Sequence, residues 1–148
     1  LLADGWDHTV LITLSDHDQE PVTDERPVGL LDAVAAWPAL EAVPEGTAML
    51  IHGPIGDREQ EAILTVDGVE GLEELTAGIW MAWTVPGRVF TPSRLSLAGQ
   101  HGGPRCRSQL AIVSGGHPRV DGIGRWLAGR RPSALDWAPL AADLLGLP

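Results

Sequence analysis

Residues 8–15 read HTVLITLS, and this stretch decides how the rest of the chain is read. It is rich in β-branched and aliphatic residues. Its nearly continuous apolar run, Val10 to Leu14, fits a strand buried on both faces, as in a parallel sheet. Ser15-Asp16-His17-Asp18 then stands at the strand's C-terminal end. In open parallel sheets the ligand crevice lies outside those ends. A carboxylate beside an imidazole there offers an oxygen and a nitrogen ligand, a pair that suits zinc or manganese. Neighbours on a regular strand point to opposite faces, so Asp16 and His17 can converge only where the pleat breaks into loop. The acidic loop from Asp16 onward supplies that break. A capping or loop role is the competing reading of the pair taken alone.

Outward from this strand, Leu1-Leu2-Ala3-Asp4-Gly5 reads as the end of a helix with Gly5 as its stop. A chain seldom begins in the last turn of a helix, so the sequence reads as a fragment or processed half of something longer. Residues 16–27 are acidic, broken by proline, and read as loop. Residues 29–43 read as a helix from Leu30, Leu31, Val34 and Ala35, interrupted near Trp37-Pro38. Residues 47–51 and 62–66 read as strands, and 69–76 as a short acidic helix. Residues 79–84 and 88–90 read as strands flanking the Pro86-Gly87 turn. After Ser93 comes a glycine-rich loop, 98–104 (AGQHGGP), and then a short buried-type strand within 109–114 (QLAIVS). Helices are expected over 121–128 and 133–145. In the second, Ser133 is the N-cap, with Asp136 three residues on. Leu135, Ala138, Ala142 and Leu145 form its core-facing stripe, and Gly146 stops it. Strands alternating with helices place the chain in the α/β class, with a mostly parallel sheet flanked by helices over one domain, 1–148.

The chain has 148 residues, a formal net charge of −10 and one cysteine. That length suits one domain with its own core. A single cysteine excludes an internal disulfide framework and a four-thiolate zinc site. The acidic balance argues against a general affinity for nucleic acid or anionic membranes. No apolar run approaches the ~18 residues of a membrane helix. Residues 1–75 hold seventeen acids against two arginines, and residues 76–148 three acids against eight arginines. The bland reading of that asymmetry is a solvated acidic face; the sharper one is a basic surface for an anionic ligand. Lysine is absent, which excludes Schiff-base chemistry through lysine and a phosphate-binding P-loop.

His101 lies in the glycine-rich loop, where backbone can approach an ion or phosphate closely. His117, after Gly115-Gly116, is a weaker candidate for the same crevice, since Gly-Gly before His-Pro is also ordinary turn chemistry. His8 and His52 read as structural or exposed. Arg105, Arg107, Arg119 and Arg125 offer a phosphate-recognition surface or plain solubilising charge. Cys106 stands between Arg105 and Arg107, which should lower its pKa. No cysteine-enzyme signature surrounds it, so a structural thiol is the reading we take. The six tryptophans are scattered and read as core.

Three segments, in order, resemble the C-terminal half of the alkaline phosphatase superfamily, nearest to its type I phosphodiesterase/nucleotide pyrophosphatase branch. Thr9-Val10-Leu11-Ile12-Thr13-Leu14-Ser15-Asp16-His17 is similar to the family's strand ending in Ser-Asp-His-Gly, whose Asp and His bind one of two metal ions. Gly99-Gln100-His101-Gly102-Gly103 resembles the later loop whose histidine binds the other ion. Residues 133–148 (SALDWAPLAADLLGLP) resemble the closing helix, usually Leu-Asp-(Ile/Val)-Ala-Pro-Thr-Leu followed by Leu-Leu-Gly-Leu-Pro. Asp18 stands where the family has glycine, and Leu140 where it has threonine. The match covers residues 1–18 and 93–148 well and the middle only in outline.

The resemblance implies an alkaline phosphatase-like sandwich, with 19–92 as a cap or sheet-edge segment. It implies two divalent ions, zinc first, clamping an in-line phosphoryl displacement. By resemblance Asp16 and His17 would hold one and His101 the other; Arg105, Arg107 and His117, read from the residues themselves, are the weaker candidates for binding the phosphate-ester substrate. The family's remaining ligands and its Ser/Thr nucleophile lie N-terminal to the strand that opens this chain. Thr13, Ser15 and Ser114 are hydroxyls near the crevice, but the resemblance does not place the nucleophile on them. The intact protein is therefore expected to be a metal-dependent phosphodiesterase- or phosphatase-type hydrolase, completed by an N-terminal half, and the isolated chain to be inactive. A mutase or sulfatase-like hydrolase of the same superfamily is a further possibility. The alternative is a non-catalytic, degenerate phosphatase-like module that binds a protein partner through its acidic half. Localisation cannot be read.

Overall fold

The computed structural model describes residues 5–24, 26–91 and 99–147. The strands are β1 (Leu11–Leu14), β2 (Glu20–Pro21), β3 (Glu41–Glu45), β4 (Ala48–His52), β5 (Val69–Thr76), β6 (Ile79–Thr84), β7 (Gly99–Gln100) and β8 (Ala111–Ser114). The helices are α1 (Leu30–Val34), α2 (Asp57–Leu64), α3 (Val120–Arg130) and α4 (Trp137–Leu145). They fall into two compact units, a central one, His17–Ser108, and a flanking one made of the chain up to Asp16 and from Gln109 on. No helix of the described residues is long and apolar enough to cross a membrane.

The central unit is built on a four-stranded antiparallel sheet in the order β3-β4-β6-β5. Side chains alternate between faces along a strand, and the register lines the apolar ones up. Ala42 faces Ile51 and Ile51 faces Trp80; Met49 faces Ala82 and Ala82 faces Leu72. That face is covered by Leu30 and Val34 of α1 and Ile63 of α2, with Val28, Ile55 and Phe90 completing the core. Burying each large apolar side chain there is worth about 1.5–3 kcal/mol. On the other face Gly71 lies under Trp83, and a Cβ at residue 71 would stand 2.1 Å from the indole Cζ2. Only glycine leaves room for the ring. A two-residue antiparallel pairing joins β2 to β7, and one isolated parallel bridge links Pro27 to Val89.

In the flanking unit β1 pairs antiparallel with β8, Leu11 opposite Ser114 through Leu14 opposite Ala111. Residue 124 faces Val113 from α3; a Cβ there would lie 3.7 Å from Val113 Cγ1. Ile123 is this unit's one buried apolar residue among those described. Trp126 and Trp137 meet edge to face with ring centres 5.9 Å apart. Ser133 caps a 3-10 turn, Ala134–Asp136, that leads into α4: its hydroxyl accepts from Leu135 N–H at 3.2 Å, and Asp136 Oδ2 accepts from Ser133 N–H at 2.7 Å. Gly146, at φ +66°, ends the helix.

These observations correct the expected fold class. Among the described residues every sheet is antiparallel, so this is a mixed α and β chain and not a mostly parallel alkaline phosphatase-like sandwich. An apolar run reports burial and carries no information on strand direction. Here even the burial departs, since Leu11 is 50% and Leu14 41% exposed. Residues 62–66 belong to or follow α2, whose acidic first turn includes Glu59, its carboxylate accepting from Gly56 N–H at 3.0 Å. Residues 69–76 form strand β5, paired along β6 with two irregularities in register, although apolar Val69, Leu72 and Leu75 are spaced three apart. The helix expected over 29–43 ends at Val34, and Val43 lies in β3. Of the stripe expected over 133–145, Leu135 is 85% and Leu145 73% exposed and Ala138 is exposed, while Ala142 is half-buried, together with Trp137, Leu140 and Leu144. Residues 88–90 make only the Val89 bridge. The helix end expected before Gly5 lies outside the described residues, as does Ala98 of the glycine-rich loop.

Candidate functional site

Pairing of Glu20 with Gln100 and of Pro21 with Gly99 fixes two loops of the central unit side by side, one beginning at His17 and one carrying His101. Residues 17 and 101, remote in sequence, thus stack their imidazoles, ring centres 4.1 Å apart and planes 30° from parallel. The His101 backbone is held from below: its carbonyl accepts from Thr47 N–H at 2.9 Å and lies 3.1 Å from the Thr47 hydroxyl. Gly102 follows at φ +109°, and a Cβ there would sit 2.5 Å from the Glu45 carbonyl oxygen. The glycine after His101 is therefore a requirement of the turn. His17 Nδ1 lies 2.8 Å from the Asp18 carbonyl oxygen. A carbonyl only accepts, so Nδ1 carries the proton in this contact.

Two acids, Asp18 and Glu20, follow His17 in the same loop. Asp18 Oδ2 accepts from Ser108 N–H at 3.3 Å, while Asp18 Oδ1 is buried with no hydrogen-bond partner. Glu20 is buried; its Oε1 is 2.9 Å from the Thr47 hydroxyl and its Oε2 accepts from Arg105 Nε at 2.5 Å. Arg105 also pairs with Glu70 and donates to the Thr84 carbonyl at 2.7 Å. Burial alone would lower the Arg105 pKa, but the Glu20 and Glu70 carboxylates outweigh it and hold the guanidinium above its ordinary value. Cys106 points its thiol at Glu20 Oε1 and the Gln100 carbonyl, each 3.9 Å away. Burial, then the charges of Glu20 and Asp18, push that thiol up.

The residues singled out from sequence fall as follows. His17 and His101 are brought together in the central unit. Asp16 is exposed at the end of β1 in the flanking unit, where its backbone carbonyl accepts from Gln109 Nε2 at 2.8 Å. His117 is in the flanking unit, and its Nδ1 accepts from Arg119 N–H at 3.1 Å at the start of α3. Arg105 borders a cleft of about 440 Å³ lined also by Gln19, Glu20, Thr23 and Gly87, but its guanidinium is already spent on two carboxylates and a carbonyl. Arg107 is exposed and donates to the Pro104 carbonyl. Cys106 is a free thiol with a raised pKa, so flanking arginines do not activate it. His8 and His52 are exposed.

Among the described residues no group of three or more His, Cys, Asp or Glu side chains is arranged to hold a metal ion. What is present is two imidazoles in contact, one with its Nδ1 proton held, and one buried carboxylate oxygen without a donor. Glu20, Thr47 and Arg105 form a brace that sequence reasoning did not find. An acid in an acidic loop reads as solvated, and nothing local marks Glu20 as buried. No family model, no curated protein and no solved structure matches the chain.

Proposed function

We propose that this chain is part of a metal-dependent hydrolase of phosphoric esters, of phosphodiesterase, pyrophosphatase or phosphatase type, related to the alkaline phosphatase superfamily. The observation that carries the reading is the contact between His17 and His101, the two histidines whose motifs resemble ligands of two adjacent metal ions. Zinc is the first choice for imidazole-rich sites, with manganese next. Divalent ions so held supply electrostatic stabilisation to a phosphoryl group under in-line attack and lower the pKa of an oxygen nucleophile. The chain's own residues position nitrogen donors. The Asp18 carbonyl accepts from His17 Nδ1, and Thr47 fixes the backbone from which His101 projects. Two histidines do not close two sites, and no serine or threonine of the chain is assigned as nucleophile. The remaining ligands and the nucleophile would come from a further stretch of polypeptide, and the isolated chain is inactive.

Zinc titration of the chain, followed by imidazole proton resonances, tests the metal part. His17 and His101 should shift together, before His8, His52 and His117; a titration that leaves both in place removes the reading. Incubation with bis-p-nitrophenyl phosphate and zinc tests the rest, with no turnover expected above zinc alone. Robust turnover would show that the nucleophile lies within these 148 residues.

A further inference from the structure

We infer that the face of the four-stranded sheet turned away from α1 and α2 is a docking surface for an amphipathic helix of a partner protein, apolar along its centre and basic on both flanks. The inference concerns the central unit alone and stands apart from the metal-site reading above.

The strand register defines this face. Val43, Leu50 and Met81 lie opposite one another in a row that ends at Glu73. Ile79 and Trp83 stand on the same face, two residues either side of Met81 along β6. α1 and α2 pack on the opposite face, over Met49, Ile51 and Ala82. Val43 is 46% exposed, and Leu50, Ile79, Met81 and Trp83 are half-buried. Trp83 spreads over the β5 side, where a Cβ at residue 71 would lie 2.1 Å, 2.5 Å and 2.7 Å from three atoms of its ring. A row of large apolar side chains across three strands is a surface that a further element covers.

Charge names the occupant. On this face carboxylates border the apolar row on both edge strands, Glu41 and Glu45 on β3 and Glu73 on β5. All three are exposed, and none is in an ion pair among the described residues. β3, β4, β5 and β6 contain no lysine or arginine. A second copy of the face would therefore set carboxylate against carboxylate, which opposes pairing. The two edge strands are three strand spacings, about 14 Å, apart, and a helix with its side chains is about 10–12 Å wide. A helix laid along β4 and β6 thus covers the apolar row and brings its two flanks to the acids. Arginine on those flanks answers the carboxylates and offers a guanidinium to the Trp83 ring. β4 and β6 are five and six residues long, which matches a helix of about 12 residues.

Titration of the full chain with a synthetic helical peptide, leucine along one face and arginine on both flanks, tests this by NMR and calorimetry. Backbone resonances of Val43, Leu50 and Met81 should shift ahead of those in α1 and α2. Val43→Asp should abolish binding while the chain still unfolds cooperatively. Glu41→Gln, Glu45→Gln and Glu73→Gln together should weaken binding about tenfold, the combined effect of three surface charges. Asp32→Asn, Asp57→Asn and Glu61→Gln remove the same charge from α1 and α2 and should weaken it far less. Equal losses in the two triple variants reduce the effect to net charge and overturn the inference. Undiminished binding of a peptide with glutamate in place of arginine overturns it too, as does no binding of the arginine peptide. Self-association in sedimentation experiments that Val43→Asp abolishes would overturn it in favour of a second copy.

Discussion

Met49 and Leu11 both sit in short apolar strands, yet Met49 is fully buried and Leu11 is 50% exposed. The difference lies in what each strand has beside it. β4 is paired on both edges, by β3 and β6, and one face is closed by α1 and α2. β1 has β8 as its partner, and the two form a ribbon. Residues opposite one another share a face, so Leu11 and Thr13 lie on the side of Ser114 and Ile112, while Ile12 lies with Val113, which faces α3. The first of these faces stays open, with Leu11 and Ile112 each about half exposed. Apolar sequence therefore marks a strand that can be buried; enclosure depends on the layers the rest of the chain supplies.

The sharpest test of that contrast is a pair of alanine substitutions. Ile51→Ala empties a site with no room to collapse and should cost about 2–5 kcal/mol in urea unfolding. Leu135→Ala removes a side chain of the same size in the flanking unit, but one that is 85% exposed, and should stay within about 0.5 kcal/mol. Equal costs would break the comparison.

The central unit also has a polar anchor. Glu20 is buried against Thr47 and Arg105, and Arg105 is itself held by Glu70 and the Thr84 carbonyl. Removing one partner of such a pair leaves the other charge unsatisfied. Glu20→Ala should cost about 3 kcal/mol, discounted from the fully buried case because Arg105 keeps Glu70 and some solvent. The measurement is again denaturant unfolding, with Glu20→Gln as the milder comparison.

These two regions also mark how far the sequence could be read. The strands at 47–51, 79–84 and 109–114 and the helices at 121–128 and 133–145 were legible because each joins a local pattern to a local stop, such as Ser133, Gly146 or the Pro86-Gly87 turn. Residues 62–66 were not, since a five-residue apolar run does not separate a strand from the end of a helix. Residues 69–76 were misread because three acids among apolar residues spaced three apart looked like a solvated helix, whereas pairing along β6 makes them a strand. Strand direction was beyond reach, as β1 takes its partner from the far end of the chain. At the site, His17 and His101 were found through motif order, and the structure stacks them. The Glu20–Arg105 brace carries no local mark at all.

In the flanking unit the strongest local signal is the cap on the 3-10 turn, Ala134–Asp136, that leads into α4. Ser133 accepts from Leu135 N–H and Asp136 answers with Ser133 N–H. Ser133→Ala should cost about 1 kcal/mol, read as lost helical signal and a lower unfolding midpoint. A cost matching that of Ile51→Ala would mean that the flanking unit depends on its caps as heavily as the central unit depends on its core.

The smallest effect separates neighbours in sequence from neighbours in space. Arg105 and Arg107 flank Cys106, and on charge alone the thiol should ionise early. In the fold both guanidiniums turn to other acceptors, and burial with Glu20 and Asp18 raises the thiol instead. A folded pKa above the unfolded one, about 8.5, means that the folded state holds the neutral form. The associated stability is complete below the unfolded pKa and is lost as pH rises through the folded value. Alkylation by iodoacetamide should therefore show a higher pH midpoint in the folded chain than in urea. Cys106→Ser should flatten the fall of unfolding free energy above about pH 8.5. A folded midpoint below the unfolded one would mean that the arginines act on the thiol after all, and that chain proximity outweighs the carboxylates around it.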